Sequence, residues 1–368
     1  MVKKPFFSII IPTYNRASNL QFALYCIFQQ SFTDFEVIIS DNCSTDNTQA
    51  IVNKLKDKRI RYFRNRKNVD FALNIKNAVK HAKGEYVFFH SDDDFILYSD
   101  SLQRIYNEIK KSNAGYIRVN YICLSPDKKR VFHFKVNKPF VGNEYLPPFL
   151  RNKKVLSFIF DSDPYFITGI IFKNTLPADI EIVNADPAPW IEILFYVTEK
   201  FGACFIAERN IVASWSQWKI KKNGEHPLYS LINGKLKPEN YFKAIEEKVD
   251  RKEYNIFLHN QLMLIFVSLF PVIKVIVGNK NMLQLSKRIR FLDPTMGKSV
   301  IYWVYLIGAL IFPRNFLKFV KNIYLYTYIR LSKVDNDKEI VDRLRELELG
   351  FFHARENILR SKDSIFKF

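Results

Sequence analysis

The sequence predicts an α/β fold, a doubly wound and mostly parallel central sheet flanked by helices, with an α-helical C-terminal region attached. Three observations carry this. Over the first hundred residues, apolar runs rich in β-branched and aromatic residues alternate with segments of helical periodicity. The polar stretches IPTYN, SDNCSTD and SDDD each fall where such a run ends, and ligands of doubly wound sheets bind beyond the strands' carboxyl ends. Past about Trp218 the alternation stops and long apolar and basic stretches replace it.

Phe7 to Ile11 reads as the first strand, closed by Pro12. A helix follows with Leu20, Leu24 and Ile27 on one face and Ser18 or Asn19 as its N-cap. Glu36 to Ser40 is the second strand and runs into DNCSTDNT. A helix carrying Ile51, Val52 and Leu55 leads to a short strand at Arg61 to Phe63. The third helix shows Phe71, Ile75, Ala78 and Ala82 at helical spacing and stops at Gly84. Tyr86 to Phe89 has no polar alternation, as befits a strand buried on both faces, and ends in Asp92, Asp93 and Asp94. Beyond residue 112, Tyr116 to Ile122 and Tyr165 to Phe172 read as strands and Pro189 to Lys200 as a helix. The expected organisation is therefore a domain over 1–218, in two parts at 1–111 and 112–218, then a helical region over 219–368.

In that last region, segments 255–273 and 299–313 are apolar, and Lys280, Lys287, Arg288, Arg290 and Lys298 lie between them against Asp293. The second segment is too short to span a bilayer as a helix. Interfacial insertion with Lys and Arg at anionic headgroups is the expectation; a helical hairpin buried in a core or an oligomer interface, and a true span, are the alternatives. The stripe Ile340, Leu344, Leu347, Phe351, Ala354 and Ile358 suits packing on its own domain, a homo-oligomer contact or a second surface anchor.

The 368 residues hold 56 Lys and Arg against 37 Asp and Glu, a net charge of +19 that suits an anionic partner. The run KDKRIRYFRNRK at 56–67 interleaves aromatics with cations but lies across a helix end and an edge strand. A solvated face or a lipid-facing patch is the more economical reading, so nucleic acid is not an expected partner. Cys26, Cys43, Cys123 and Cys204 have no paired metal or redox spacing and read as reduced thiols. The apolar run near the start is too short for a signal peptide. A cytoplasmic working face is the expectation.

Three aspartates at a strand end can hold a hard divalent cation, which would neutralise a diphosphate leaving group. The plain alternative is a solvated acidic turn with Asp94 capping the next helix. Context favours the first reading. IPTYNR at 11–16, SDNCSTDNT at 40–48, the Asn68/Asn74 pair and AKGEYVFFHSDDD at 82–94 together resemble family 2 glycosyltransferases of the GT-A fold, and bacterial O-antigen enzymes of the abequosyltransferase type most of all. The resemblance covers roughly the first hundred residues and is loose past residue 110.

The resemblance implies an inverting transferase that uses a nucleotide-sugar donor, a lipid-linked glycan acceptor and Mn²⁺ or Mg²⁺. It assigns 1–111 to the donor nucleotide and 112–218 to the acceptor, with the enzyme at the cytoplasmic face of a bacterial inner membrane. It implies that Pro12, Thr13, Tyr14 and Asn15 line the nucleotide, with Arg16 reaching a phosphate. Asp41 would contact the base or ribose, and Asn74 matches the helix asparagine of the family pattern. Asp46 would be structural, capping the following helix. Two departures stand out: Asp70 replaces a usual glycine, and Ser91 stands where the family carries the first aspartate of its acidic motif. Aligned on GEY, Asp93 falls on the metal-binding aspartate. Asp92 or Asp94 supplies any second carboxylate, with Asp94 assigned to the metal and Asp92 to substrate.

An inverting transferase needs a base for the acceptor hydroxyl. NADPAPWIEILFYV offers Asp186, four residues before Trp190, with Glu192 in reserve; an Asp before Pro187 is equally a helix start. Asp161 and Asp163 read as a turn. Trp215 and Trp218 suit sugar stacking or core packing. Two other readings stay open: a catalytically impaired membrane scaffold, favoured by the Ser91 and Asp70 departures, and a nucleotidyltransferase, disfavoured because IPTYNRASN lacks glycine.

Overall fold

The computed structural model describes residues 4–124, 131–132, 142–149, 153–164, 166–177, 189–214, 250–331 and 337–360. Its N-terminal half contains β1 (Phe7–Thr13), α1 (Ala17–Phe28), β2 (Phe35–Asp41), α2 (Thr48–Lys54), β3 (Ile60–Arg64), α3 (Phe71–Lys80), β4 (Tyr86–Phe89), β5 (Phe95–Ile96) and α4 (Ser101–Ser112). There follow β6 (Tyr116–Leu124), β7 (Val131–Phe132), β8 (Glu144–Leu146), α5 (Lys153–Asp161), β9 (Ile170–Lys173), α6 (Ile191–Phe201) and β10 (Ala203–Ser214). The chain ends in α7 (Arg251–Leu262), a π-turn (Met263–Val267), α8 (Phe270–Leu292), a 3₁₀ turn (Pro294–Lys298), α9 (Val300–Ile311), α10 (Arg314–Leu331) and α11 (Asp337–Arg360).

The sheet runs in the order β3-β2-β1-β4-β9-β6-β10-β5. β1 to β4 pair parallel, β9 enters antiparallel between β4 and β6, and β10 lies parallel to β6. Alternation divides each inner strand between two cores. Phe7, Ile9, Ile11, Val37, Ile39, Tyr86 and Phe88 face α1 and α4, while Ile10, Ile38, Val87 and Phe89 face α3, α5 and α6. The absence of polar alternation in these strands follows from burial on both sides.

Buried polar residues in β1 and β2 have partners. Ser8 donates to Glu36 at 2.6 Å and accepts from the Gly84 amide at 2.7 Å, and Glu36 also accepts from Arg61 at 2.8 Å. Much of the basic run 56–67 is thus used within the domain: Arg59 pairs with Asp57, Arg61 with Glu36, and Arg64 reaches Asp41.

Three expectations change. α1 is not capped by Ser18 or Asn19; its first amide, Ala17 N, donates to Asp46 from the loop before α2 at 3.0 Å. The strand expected over 165–172 begins only at Ile170, because Thr168 and Gly169 turn the chain and Gly169 takes φ 85°. Segment 255–273 puts one face in the core: Leu258, Leu262, Val267, Phe270 and Ile273, with Tyr254 just before them, join the cluster of Trp190 and Leu194, while Ile256 and Leu269 are exposed. The C-terminal helices therefore share cores with the sheet. α11 returns to α1, where Ile340, Leu344 and Leu347 pack with Leu97, Ile122 and Leu124, and Phe351 meets Phe22 and Tyr25 edge-on.

Candidate functional site

The parallel strands β1, β2 and β4 deliver three loops to one edge of the sheet. Their register aligns Thr13 with Asp41, and the hydrogen bond from Asn42 N to the Thr13 carbonyl, 2.9 Å, continues the pairing into the loops. Beyond Thr13 the chain turns at Asn15, whose φ of 53° is a left-handed conformation that asparagine tolerates. The turn lets Asn15 N donate to Ser44 Oγ at 2.9 Å and Asn15 Oδ1 accept from Thr45 N at 2.7 Å, locking the first loop to the second.

Asp41 is fully buried. It accepts from Ser44 N at 2.8 Å and from the Tyr62 hydroxyl at 2.5 Å, and Arg64 lies 3.6 Å away. Asp46 accepts from Ala17 N and from Thr48, joining the starts of α1 and α2. Its carboxyl lies below the usual range, since these hydrogen bonds outweigh the largest single influence, desolvation, which acts in the opposite direction.

Asn74 is buried and committed: it accepts from Ser40 Oγ at 2.8 Å and from Asn65 at 2.9 Å, and donates to the Ser40 carbonyl. Asp70, at the position of the family glycine, caps α3 by accepting from Leu73 N at 2.8 Å. A cavity of about 390 Å³ opens beside this network, lined among others by Tyr62, Arg64, Asn65, Asn77 and Lys80.

The acidic turn after β4 separates its three carboxylates. Arg16 Nη1 donates to Asp92 at 3.0 Å and to Asp93 at 2.8 Å, so one cationic nitrogen touches both. Asp92 is buried and also accepts from Thr13 Oγ1 at 2.7 Å. Desolvation raises its pKa to about 6, against the pull of Arg16. Asp93 is more accessible and accepts from Ser91 Oγ. Asp94 is buried against Thr168 Oγ1 at 2.5 Å, and Thr168 also accepts from Ser91 N. Asp92 and Asp93 thus share a cation, and Asp94 anchors the turn to the loop before β9. Preceding them, His90 is fully buried with Nδ1 2.7 Å from the Ser91 carbonyl and no partner for Nε2 among the described residues. Burial lowers its pKa to about 4.

Of the other expected residues, Tyr14 is exposed at the loop tip. Asp186, Trp215 and Trp218 lie outside the described residues. Glu192 is in the first turn of α6, behind Trp190, which is buried and donates to the Pro164 carbonyl at 2.9 Å. Sequence reasoning missed Ser44, Tyr62, Arg64 and Thr168. The β2–β3 register, which aligns Asp41 with Arg64, would have found Arg64. Nothing local signals Thr168, which lies 74 residues from Asp94.

Comparisons with known proteins cover the part of the chain that carries these loops. The family described as glycosyl transferase family 2 matches residues 8–166, which include all three loops. Over that segment the chain is similar to family 2 glycosyltransferases. Among curated relatives, the GalNAc(5)-diNAcBac-PP-undecaprenol β-1,3-glucosyltransferase of Campylobacter jejuni is 39% identical over 123 residues, 33% of this chain and 38% of that protein. A UDP-Glc:α-D-GlcNAc-diphosphoundecaprenol β-1,3-glucosyltransferase of Escherichia coli is 28% identical over 149 residues, 40% of this chain and 54% of that protein. The chain therefore matches between about two-fifths and just over half the length of these relatives. A solved structure, S. aureus TarS 1–349 with UDP-GlcNAc, aligns over 83% of this chain and 89% of its own, with 18% identity and a TM-score of 0.47.

Proposed function

We propose that the protein is an inverting glycosyltransferase that moves a sugar from a nucleotide-sugar donor to a hydroxyl of a lipid-linked glycan acceptor in bacterial surface-glycan synthesis. The observation that carries this is the joining of the β1, β2 and β4 loops: Thr13 and Arg16 bind the acidic turn while Asn15 binds Ser44 and Thr45. They form one polar edge at the strands' carboxyl ends, within the family-matched segment. The relatives' acceptors, diphosphoundecaprenol-linked sugars, support the acceptor class.

In this reading the nucleotide lies along the β1 and β2 loops beside Asp41, and Tyr62 and Arg64 hold that carboxylate in place. A divalent cation fits the turn: one nitrogen of Arg16 already touches both Asp92 and Asp93, so a single cation position serves both carboxylates, and the donors are all oxygen. Among the described residues no third His, Cys, Asp or Glu joins them, so diphosphate oxygens and water would complete the shell, as is common for Mg²⁺. Asp93, the more accessible, would be the primary ligand and Asp92 its neighbour, in place of the pairing of Asp93 with Asp94, which is turned to Thr168. The chemistry supplied by Mn²⁺ or Mg²⁺ there would be neutralisation of charge on the leaving diphosphate.

The acceptor oxygen attacks the anomeric carbon from the face opposite the diphosphate. The C–O bond to the diphosphate breaks, its electron pair leaves with the nucleotide, and a carboxylate takes the hydroxyl proton. Asp186, with Glu192 in reserve, is the carboxylate proposed for that step. The test is turnover of a panel of nucleotide-sugars with Mn²⁺, with Asp93→Asn as control. The expected result is one donor class consumed and loss of at least about 100-fold in Asp93→Asn. Equal turnover by the variant would remove the metal assignment. No turnover of any donor would favour the non-catalytic scaffold, for which the clasp of Arg16 on both carboxylates is the supporting observation.

A further inference from the structure

The C-terminal helices carry an apolar surface that the fold leaves uncovered. On α9, Tyr302, Leu306 and Ala309 pack inward. Val300, Val304, Ile307 and Ile311 recur at helical spacing on the other side and are exposed, Val300 at 77% and Ile311 at 71%. α10 repeats the pattern with Phe316, Phe319, Val320 and Ile323, Phe319 being 61% exposed. A surface helix normally turns its polar face to water. Here the outward stripes are the apolar ones.

The two helices meet at a bend of 118°, and side chains fix it. Lys274, buried, donates to the Leu310 carbonyl at 3.1 Å and the Phe312 carbonyl at 2.7 Å, closing the end of α9. In return Arg314 donates twice to the Val275 carbonyl, at 3.0 and 2.7 Å. Gly278, at φ 80°, breaks α8 just beyond. No single helix among the described residues is long and apolar enough to cross a membrane. A bent pair fixed in this way presents its stripes side-on.

Charge selects the occupant. Residues 254–331 contain ten Lys and Arg and one acid, Asp293. That acid is committed to His259 at 2.8 Å and to the Thr295 amide at 2.9 Å. Apolar stripes among cations match acyl chains under anionic headgroups. A second copy meeting the same face would set like charge against like.

We propose that α9 and α10 form a bent monotopic wedge that seats the protein on an anionic bilayer, the stripes at the acyl boundary and the surrounding Lys and Arg at the headgroups. Binding needs neither donor nor acceptor, so its failure and the failure of the glycosyltransfer reading are separable. The test is co-sedimentation of the full chain with vesicles of equal phosphatidylglycerol and phosphatidylcholine, and with phosphatidylcholine alone. Partition into the anionic vesicles should be stronger by at least about tenfold, and weaken with salt. The double variant Ile311→Glu with Phe319→Glu should lose at least about tenfold of that binding while keeping its circular dichroism and melting temperature, since both side chains point outward. Equal recovery with both vesicles, or unchanged binding by the variant, overturns the proposal. So does a dimer in sedimentation equilibrium that the variant abolishes without any vesicle binding, which would give the face to a second copy.

Discussion

Replacing His90 by asparagine should stabilise the fold against acid. His90 is fully buried, and burial moves its pKa from 6.5 to about 4. The unfolded chain therefore binds a proton at this histidine before the native state does. The stability it contributes is complete above pH 6.5 and is lost as pH falls toward 4, an effect of roughly 3 kcal/mol. Asp92 works the other way. Burial, opposed by Arg16, raises its pKa from 3.8 to about 6, so the native state takes the proton first. Its contribution grows as pH falls from 6 to 3.8, again by roughly 3 kcal/mol.

In the wild type these opposite slopes nearly cancel over that window. Asparagine at position 90 keeps an amide nitrogen close to where Nδ1 meets the Ser91 carbonyl, and it does not titrate. Relative to wild type, His90→Asn should gain roughly 2 kcal/mol between neutral pH and pH about 4.5. Asp92→Asn should lose a similar amount over the same interval. Urea unfolding of the three proteins at a series of pH values, without divalent metal, measures the differences directly, and the other carboxylates drop out of the comparison. Parallel profiles for all three would refute the burial argument for both residues.

Gly84→Ala should destabilise by roughly 3 kcal/mol, because the new Cβ would sit 2.6 Å from the Ser8 nitrogen and 2.8 Å from the Phe7 carbonyl carbon, both backbone atoms of β1; denaturant titration reads the change. Asp70→Ala should cost about 1 kcal/mol through loss of the α3 cap, whereas Asp70→Gly, restoring the family residue, should cost only about a few tenths. Leu344→Ala should lower the single melting transition, at a cost of roughly 3 kcal/mol, since this side chain packs with Leu97, Ile122 and Leu124. An unchanged transition would mean that α11 does not belong to the cooperative core.

Much of the fold of the first hundred residues was legible in the sequence because its information is local. Apolar runs such as YVFF must be buried on both faces, and IPTYN, SDNCSTD and SDDD must follow the strands they terminate. Chain order alone therefore put Thr13, Asp41 and Asp93 at one edge. The helix of the C-terminal stripe was legible for the same reason, since its periodicity survives whatever it packs on.

Partner choice was not legible, because it depends on atoms distant in sequence. Three consecutive aspartates are chemically alike until the fold brings Arg16 to Asp92 and Asp93 and Thr168 to Asp94. The cap of α1 comes from Asp46, 29 residues away, and the stripe of α11 found α1 among three candidate surfaces. Two apolar segments of similar composition parted in the same way: 255–273 met the core of the sheet, and α9 kept one stripe outside it. The sequence determined which residues are apolar, charged or turn-forming and in what rhythm. Only tertiary structure decided which carboxylates share a cation and which apolar faces reach solvent, because desolvation and pairing depend on what the fold brings into contact.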